Sequence, residues 1–293
     1  MKKLSFIQRN NQRHWVGDGF PVRSIFSYHD RAAELSPFLL LDYAGPADFP
    51  PTTQRKGVGE HPHRGFETVT IVYAGEVEHR DSSGGGGVIS PGDVQWMTAA
   101  GGLVHQEYHG VEYAKRGGAF EMVQLWVNLP AKDKLAAPGY QGITSKEIPR
   151  VELPAGAGAV RVIAGSYNGS RGPARTFTPM NVWDVRMNAG KSTTLSVPAG
   201  HTTALLVLRG SISLADGETI GAAEVAVLDR TGDQFSVNAT ENTTLLVLNG
   251  EPINEPVVGH GPFVMNTRAE IQQALSDYQS GKMGHITDEV LSR

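Results

Sequence analysis

The sequence predicts an all-β protein with one helix near its C-terminal end. Two observations carry that reading. The apolar runs are only four to six residues long, rich in β-branched and aromatic side chains and bounded by turn formers. Helical periodicity is absent until Thr267. Glycine and proline supply the punctuation: 35 and 17 of 293 residues, near 18% together, against about 12% on average. With 40% hydrophobic and 19% charged residues, the chain can bury a core, which argues against disorder.

Taken in order, Lys2 and Lys3 precede only Leu4-Ser5-Phe6-Ile7 before Gln8-Arg9-Asn10, whereas a secretory leader needs about 7–15 apolar residues. No run approaches the roughly 18 apolar residues of a membrane span. The expectation is therefore a cytoplasmic chain without membrane contact. Residues 68–73, 122–127, 205–208 and 245–248 read as buried strands. Ser82-Ser83-Gly84-Gly85-Gly86-Gly87 lacks the following Lys-Ser/Thr of a phosphate loop and reads as a flexible hairpin turn. Proline and glycine at 130, 138, 139, 149, 154, 156 and 158 mark a connection between two β domains in tandem. Residues 204–210 and 244–250 share a pattern forty residues apart, which reads as two similar strands of one sheet rather than a propeller repeat. Thr267-x-x-Glu270 is a capping box, followed by Ile271, Ala274, Leu275 and Tyr278 at helical spacing and a stop at Gly281.

The absence of cysteine removes disulfides, thiolate metal sites and cysteine nucleophiles at once. A net charge of −4 gives no broad basic field, so direct nucleic-acid binding is not expected. What remains is a histidine pattern. His61 and His63 flank Pro62, and His105 and Glu107 flank Gln106. In an extended strand, residues i and i+2 share a face about 6.5–7 Å apart. Two such strands crossing a barrel deliver three imidazoles and a carboxylate to one point. Those donors suit iron, manganese, nickel, copper or zinc, with positions left open for substrate and dioxygen.

Gly59-Glu60-His61-Pro62-His63-Arg64-Gly65-Phe66-Glu67-Thr68-Val69-Thr70 resembles the first metal-binding motif of the pirin family, within the cupin superfamily. Ser90-Pro91-Gly92-Asp93-Val94-Gln95-Trp96-Met97-Thr98-Ala99, with residues 102–107, is similar to its second motif. Residues 125–130 resemble the signature before the linker, and residues 261–267 with 271–274 and 277–281 resemble the C-terminal segment. Two departures touch no ligand: Ala99-Ala100-Gly101-Gly102 in place of the usual Ala-Gly-x-Gly, and the glycine run at 84–87.

The resemblance implies a bicupin, two stacked antiparallel β-barrels of jelly-roll type. Residues 1–140 would form the metal-binding barrel, and 141–293 a metal-free barrel whose tail helix returns to the first. It places one divalent metal, most simply Fe(II), with Mn, Ni, Co, Cu or Zn as alternatives, on His61, His63, His105 and Glu107. Glu67 takes the place used by other cupins for their carboxylate. It shares the parity of His61 if the strand runs unbroken, and is assigned here a supporting or structural role. Two functions follow from the resemblance. One is a quercetin 2,3-dioxygenase that opens a flavonol with dioxygen and releases carbon monoxide, with Glu107 as general base. The other is an iron-dependent, redox-sensing partner of a regulatory protein. The chain is expected to be a monomer.

Overall fold

The computed structural model describes residues 1–215 and 217–286. Its regular structure is mostly antiparallel strands, in two compact units. The all-β expectation holds. The unit that carries the histidine pattern is assembled from residues 12–30, 38–145 and the chain from 254 onward. Residues 1–11, 31–37 and 146–253 form the other.

The histidine-bearing unit has two main sheets and a two-stranded ribbon, Val258–His260 with Phe263–Met265. The larger has seven strands in the order Gly139–Ile143, Val94–Thr98, Phe66–Ala74, Gly118–Asn128, Phe38–Phe49, Phe20–Phe26, His14–Val16. The smaller has four, in the order Gly57–His63, Leu103–His109, Val77–Asp81, Gly86–Ile89. The expected strands at 68–73 and 122–127 are adjacent strands of the larger sheet, with Val69 opposite Leu125 and Ile71 opposite Val123. Their Val and Ile side chains are fully buried, as β-branched residues on a covered sheet should be. The glycine run is indeed a hairpin between Val77–Asp81 and Gly86–Ile89. Its turn is tied down: the Asp81 carboxylate accepts from the Ser83 and Gly85 amides at 2.8 and 3.0 Å.

The second unit repeats the plan with seven and four strands. Its core packs Trp183, Leu205, Phe235 and Val247. The two similar segments are Thr202–Arg209 and Thr243–Gly250, paired directly with Ala204 opposite Leu248. Leu4–Arg9 closes this sheet at one edge, against Glu224–Leu228.

The C-terminal helix spans Arg268–Gln279. Thr267 caps it, its hydroxyl accepting from the Glu270 amide at 3.2 Å. The end is a Schellman turn, with Gly281 at φ +75°, Gly281 N–H on the Tyr278 carbonyl and Lys282 N–H on that of Asp277. One expected position is wrong: Tyr278 is 40% exposed, and the buried face is Ile271, Ala274 and Asp277. An acid can sit there because Arg64 meets it at 2.9 Å. Two short helices, Tyr28–Leu35 and Val111–Arg116, were not anticipated. Each is below the length at which periodicity identifies a helix.

Candidate metal centre

The strands Gly57–His63 and Leu103–His109 are hydrogen-bonded neighbours rather than strands crossing a barrel. His105 lies opposite His61, and Leu103 opposite His63. Because paired positions and alternate residues share a face, the three imidazoles converge. Their ring centroids are 4.2 Å apart for His61 and His105, 4.8 Å for His63 and His105, and 4.9 Å for His61 and His63. One nitrogen from each lies within 4.8 Å of the others. Between His105 and Glu107 the register shifts, so that Glu107 faces Val58. A bulge re-aims the side chains beyond it. The Glu107 carboxylate accordingly groups with His105 and His79 instead, within the same 4.8 Å.

Burial drives the His63 and His105 pKa values well below the ordinary imidazole range, and the neighbouring His61 pushes them the same way. Both rings are therefore neutral at pH 7 and keep a lone pair. Hydrogen bonds decide where. His61 Nδ1 lies 2.8 Å from the Gly59 carbonyl, which accepts its proton and leaves Nε2 free. His105 Nδ1 lies 3.3 Å from His79 Nδ1. With Asp81 accepting from His79 Nε2 at 3.0 Å, His79 Nδ1 is the acceptor, and His105 presents Nε2. That Nε2 and Nδ1 of His63 are enclosed without a hydrogen-bond partner. Unpartnered buried nitrogens converging with a carboxylate nearby are what a divalent N/O-ligated metal requires. The donor set fits such an ion.

His79, Asp81 and Gln95 form a buried layer behind His105 that the sequence reading missed. Gln95 Nε2 reaches His79 Nδ1 at 3.0 Å, and Tyr140 stacks on the His79 ring at 5.2 Å. The signal was available: His79 and Asp81 have the same i, i+2 spacing as the two pairs singled out. Thr70 was missed as well. Its hydroxyl lies 2.6 Å from Gln124 Oε1 and 3.3 Å from Glu107 Oε1.

Glu67 is in neither candidate metal group among the described residues. Gly65, at φ +91°, interrupts the chain between His63 and Phe66, so parity does not carry across from His61. Within Phe66–Ala74, Glu67 is three residues from Thr70 and points to the opposite face. Burial pushes its carboxyl up to about 7, against the Thr98 hydroxyl that donates to Oε1 at 2.7 Å.

His61, His63 and Glu107 open onto a cavity of about 410 Å³, within the roughly 300–1,000 Å³ of small-molecule sites. The rest of its lining is mostly apolar: Phe20, Val22, Val58, Met122 and Trp126 among others, with Asp42 and Gln124. No helix of the described residues is long and apolar enough to cross a membrane.

The Pirin family model matches residues 19–127, and that of the Pirin C-terminal cupin domain matches residues 182–284. A Pseudomonas aeruginosa protein named "Putative quercetin 2,3-dioxygenase" is 58% identical over 282 residues, covering 96% of this chain and 98% of that one. A crystal structure of quercetin 2,3-dioxygenase from Acinetobacter baumannii superposes with a TM-score of 0.95 at 55% identity, over 98% of this chain and all of that one. A bacterial pirin of Escherichia coli, solved in complex with nickel(II), shares the fold at 19% identity and a TM-score of 0.63, covering 85% of this chain and 99% of that one. With both domain models matched over most of its length, and a histidine cluster placed in the first, this chain belongs to the pirin family.

Proposed function

We propose that the chain is a metal-dependent flavonol dioxygenase of the quercetin 2,3-dioxygenase type. The observation that carries this reading is the coincidence of three converging imidazoles, two of them in its wall, with one end of a mainly apolar cavity. A regulatory binding protein needs the first feature but not the second. The names of the similar Pseudomonas and Acinetobacter proteins support the same chemistry.

In this reading His61, His63, His105 and Glu107 hold one divalent metal, with iron(II) as our choice. When bound, that ion supplies Lewis acidity that lowers the pKa of the flavonol 3-hydroxyl, and redox contact with dioxygen. The remaining steps belong to the chain. Val58, Phe20, Met122 and Trp126 hold the flat aromatic substrate and exclude water. His79 and Gly59 fix which nitrogen of His105 and of His61 faces the ion. Glu107 accepts the 3-hydroxyl proton, with the Thr70 hydroxyl, shared with Gln124, 3.3 Å from its Oε1. Dioxygen then opens the heterocycle: both of its atoms are retained in the ester product and C3 leaves as carbon monoxide. The balance requires no external reductant.

The test is to reconstitute the protein with Fe(II) under argon, add quercetin and air, and follow the flavonol absorbance and released carbon monoxide. The wild type turns over with one carbon monoxide per flavonol. Glu107→Gln is slower by about 10² or more, the scale of a lost general base. A wild type inactive with every divalent metal tried refutes the reading.

A further inference from the structure

The cavity lies between contributions from both sheets. Its imidazoles and Glu107 come from the four-stranded sheet, whereas Asp42, Met122, Gln124 and Trp126 come from the seven-stranded one. Across that larger sheet runs an unbroken polar row. Ser24 pairs with Asp42, Asp42 with Gln124, Gln124 with Thr70, and Thr70 with Gln95. Directly paired residues project from the same face, so five adjacent strands of this sheet each contribute one polar side chain to that face. The row has identified uses at one end: Gln95 holds His79, and Thr70 faces Glu107.

Asp42 has no such use. It lines the cavity, and its Oδ1 is enclosed without a hydrogen-bond partner. Burial pushes its carboxyl up, with the Ser24 hydroxyl pulling the other way. A carboxyl oxygen left unpaired is costly; Asp42 as a residue is only partly buried and lines the cavity, so a turn about its terminal torsion, which is soft, brings that oxygen to a ligand.

We propose that Asp42 is a specificity residue, which takes a ligand hydroxyl other than the one that goes to the imidazole end and so selects polyhydroxylated aromatics over bare ones. This rests on the flavonol reading and adds to it a second anchor. The metal end would fix the 3-hydroxyl, and Asp42 a hydroxyl on another ring. Apolar walls alone discriminate poorly between analogues that differ by a hydroxyl, whereas a buried partner for it rejects the analogue that lacks it.

The experiment is an anaerobic titration of the metal-loaded protein with quercetin and with 3-hydroxyflavone, which keeps only the 3-hydroxyl. Binding is read by quenching of tryptophan fluorescence, because Trp126 lies in the wall. The wild type should bind quercetin about 10–100-fold more tightly, the range for one buried hydrogen bond to a carboxyl group. In Asp42→Leu the ratio should fall to within about threefold of unity, and Asp42→Asn should retain most of it. A wild-type ratio near one overturns the inference without recourse to any variant, and so does an Asp42→Leu protein that keeps the wild-type ratio. If neither flavonol binds the wild type, the flavonol reading itself falls and the inference with it.

Discussion

His79 makes three contacts within the buried layer behind His105, yet it is no member of the three-imidazole cluster. Its proton goes to Asp81, and that choice obliges His105 to point Nε2 toward the cluster. His79→Phe keeps the ring and its stack on Tyr140 but removes the acceptor. Metal affinity, measured by chelator competition, should weaken by about 10–100-fold, and an unchanged affinity would show that His105 needs no such partner. Glu67 makes a different prediction. Its folded carboxyl holds its proton up to about pH 7, whereas in the unfolded chain it releases it near the ordinary glutamate value of 4.5. The folded state therefore binds the extra proton between those values. That contribution to stability is complete below pH 4.5 and is lost as pH rises through 7, about 3 kcal/mol in all. Glu67→Gln cannot ionise, so its melting temperature should fall less between pH 5 and pH 8 than that of the wild type, by about 5 °C. Equal slopes would contradict the burial argument.

At the scale of elements, the turn that follows His63 is where the unit is fastened. Arg64 Nε donates to the Gly101 carbonyl at 2.7 Å, and its guanidinium meets Asp277 of the C-terminal helix at 2.9 Å. Gly65 must be glycine: a Cβ there would sit 1.9 Å from the Val264 carbonyl oxygen. Lys134, only 1% exposed, donates to the carbonyls of Gly65 and Val264 at 2.7 and 2.9 Å and to Asn128 Oδ1 at 2.7 Å. Burial pulls its pKa down to about 7 while Glu255 and Glu270 pull it up. Three acceptors match the three protons of an ammonium group. Lys134→Met leaves all three without that donor and should cost about 1–3 kcal/mol, the scale for a buried acceptor left unsatisfied, read as a lower denaturant midpoint. A loss under about 1 kcal/mol would mean that the lysine is dispensable. None of this was legible beforehand. Lys134 sits in a stretch that reads as linker, and two of its three acceptors lie 69 and 130 residues away along the chain.

For the whole molecule, what the sequence revealed was local chemistry and local punctuation. Short β-branched runs, the Thr267 cap and the His-x-His and His-x-Glu pairs are each written within a few residues, and the structure contains all of them. Sheet partners are not local. Nothing near Leu4–Arg9 announces that it pairs with Glu224–Leu228. The same limit explains the site: His61 and His105 were identifiable as ligand types, but not as opposite members of one ladder. The shift that parts Glu107 from His61 is a property of two strands together. The polar row through Asp42 escaped notice for the same reason, since each strand contributes a single residue to it.

On this reading the His-x-His and His-x-Glu pairs make one metal site in the chain. Elemental analysis of protein reconstituted with Fe(II) and desalted tests it most directly. The wild type should hold about one equivalent of iron per chain, and the His61→Ala, His105→Ala double variant less than about a tenth of that. Two equivalents in the wild type, or a full equivalent retained by the double variant, would contradict it.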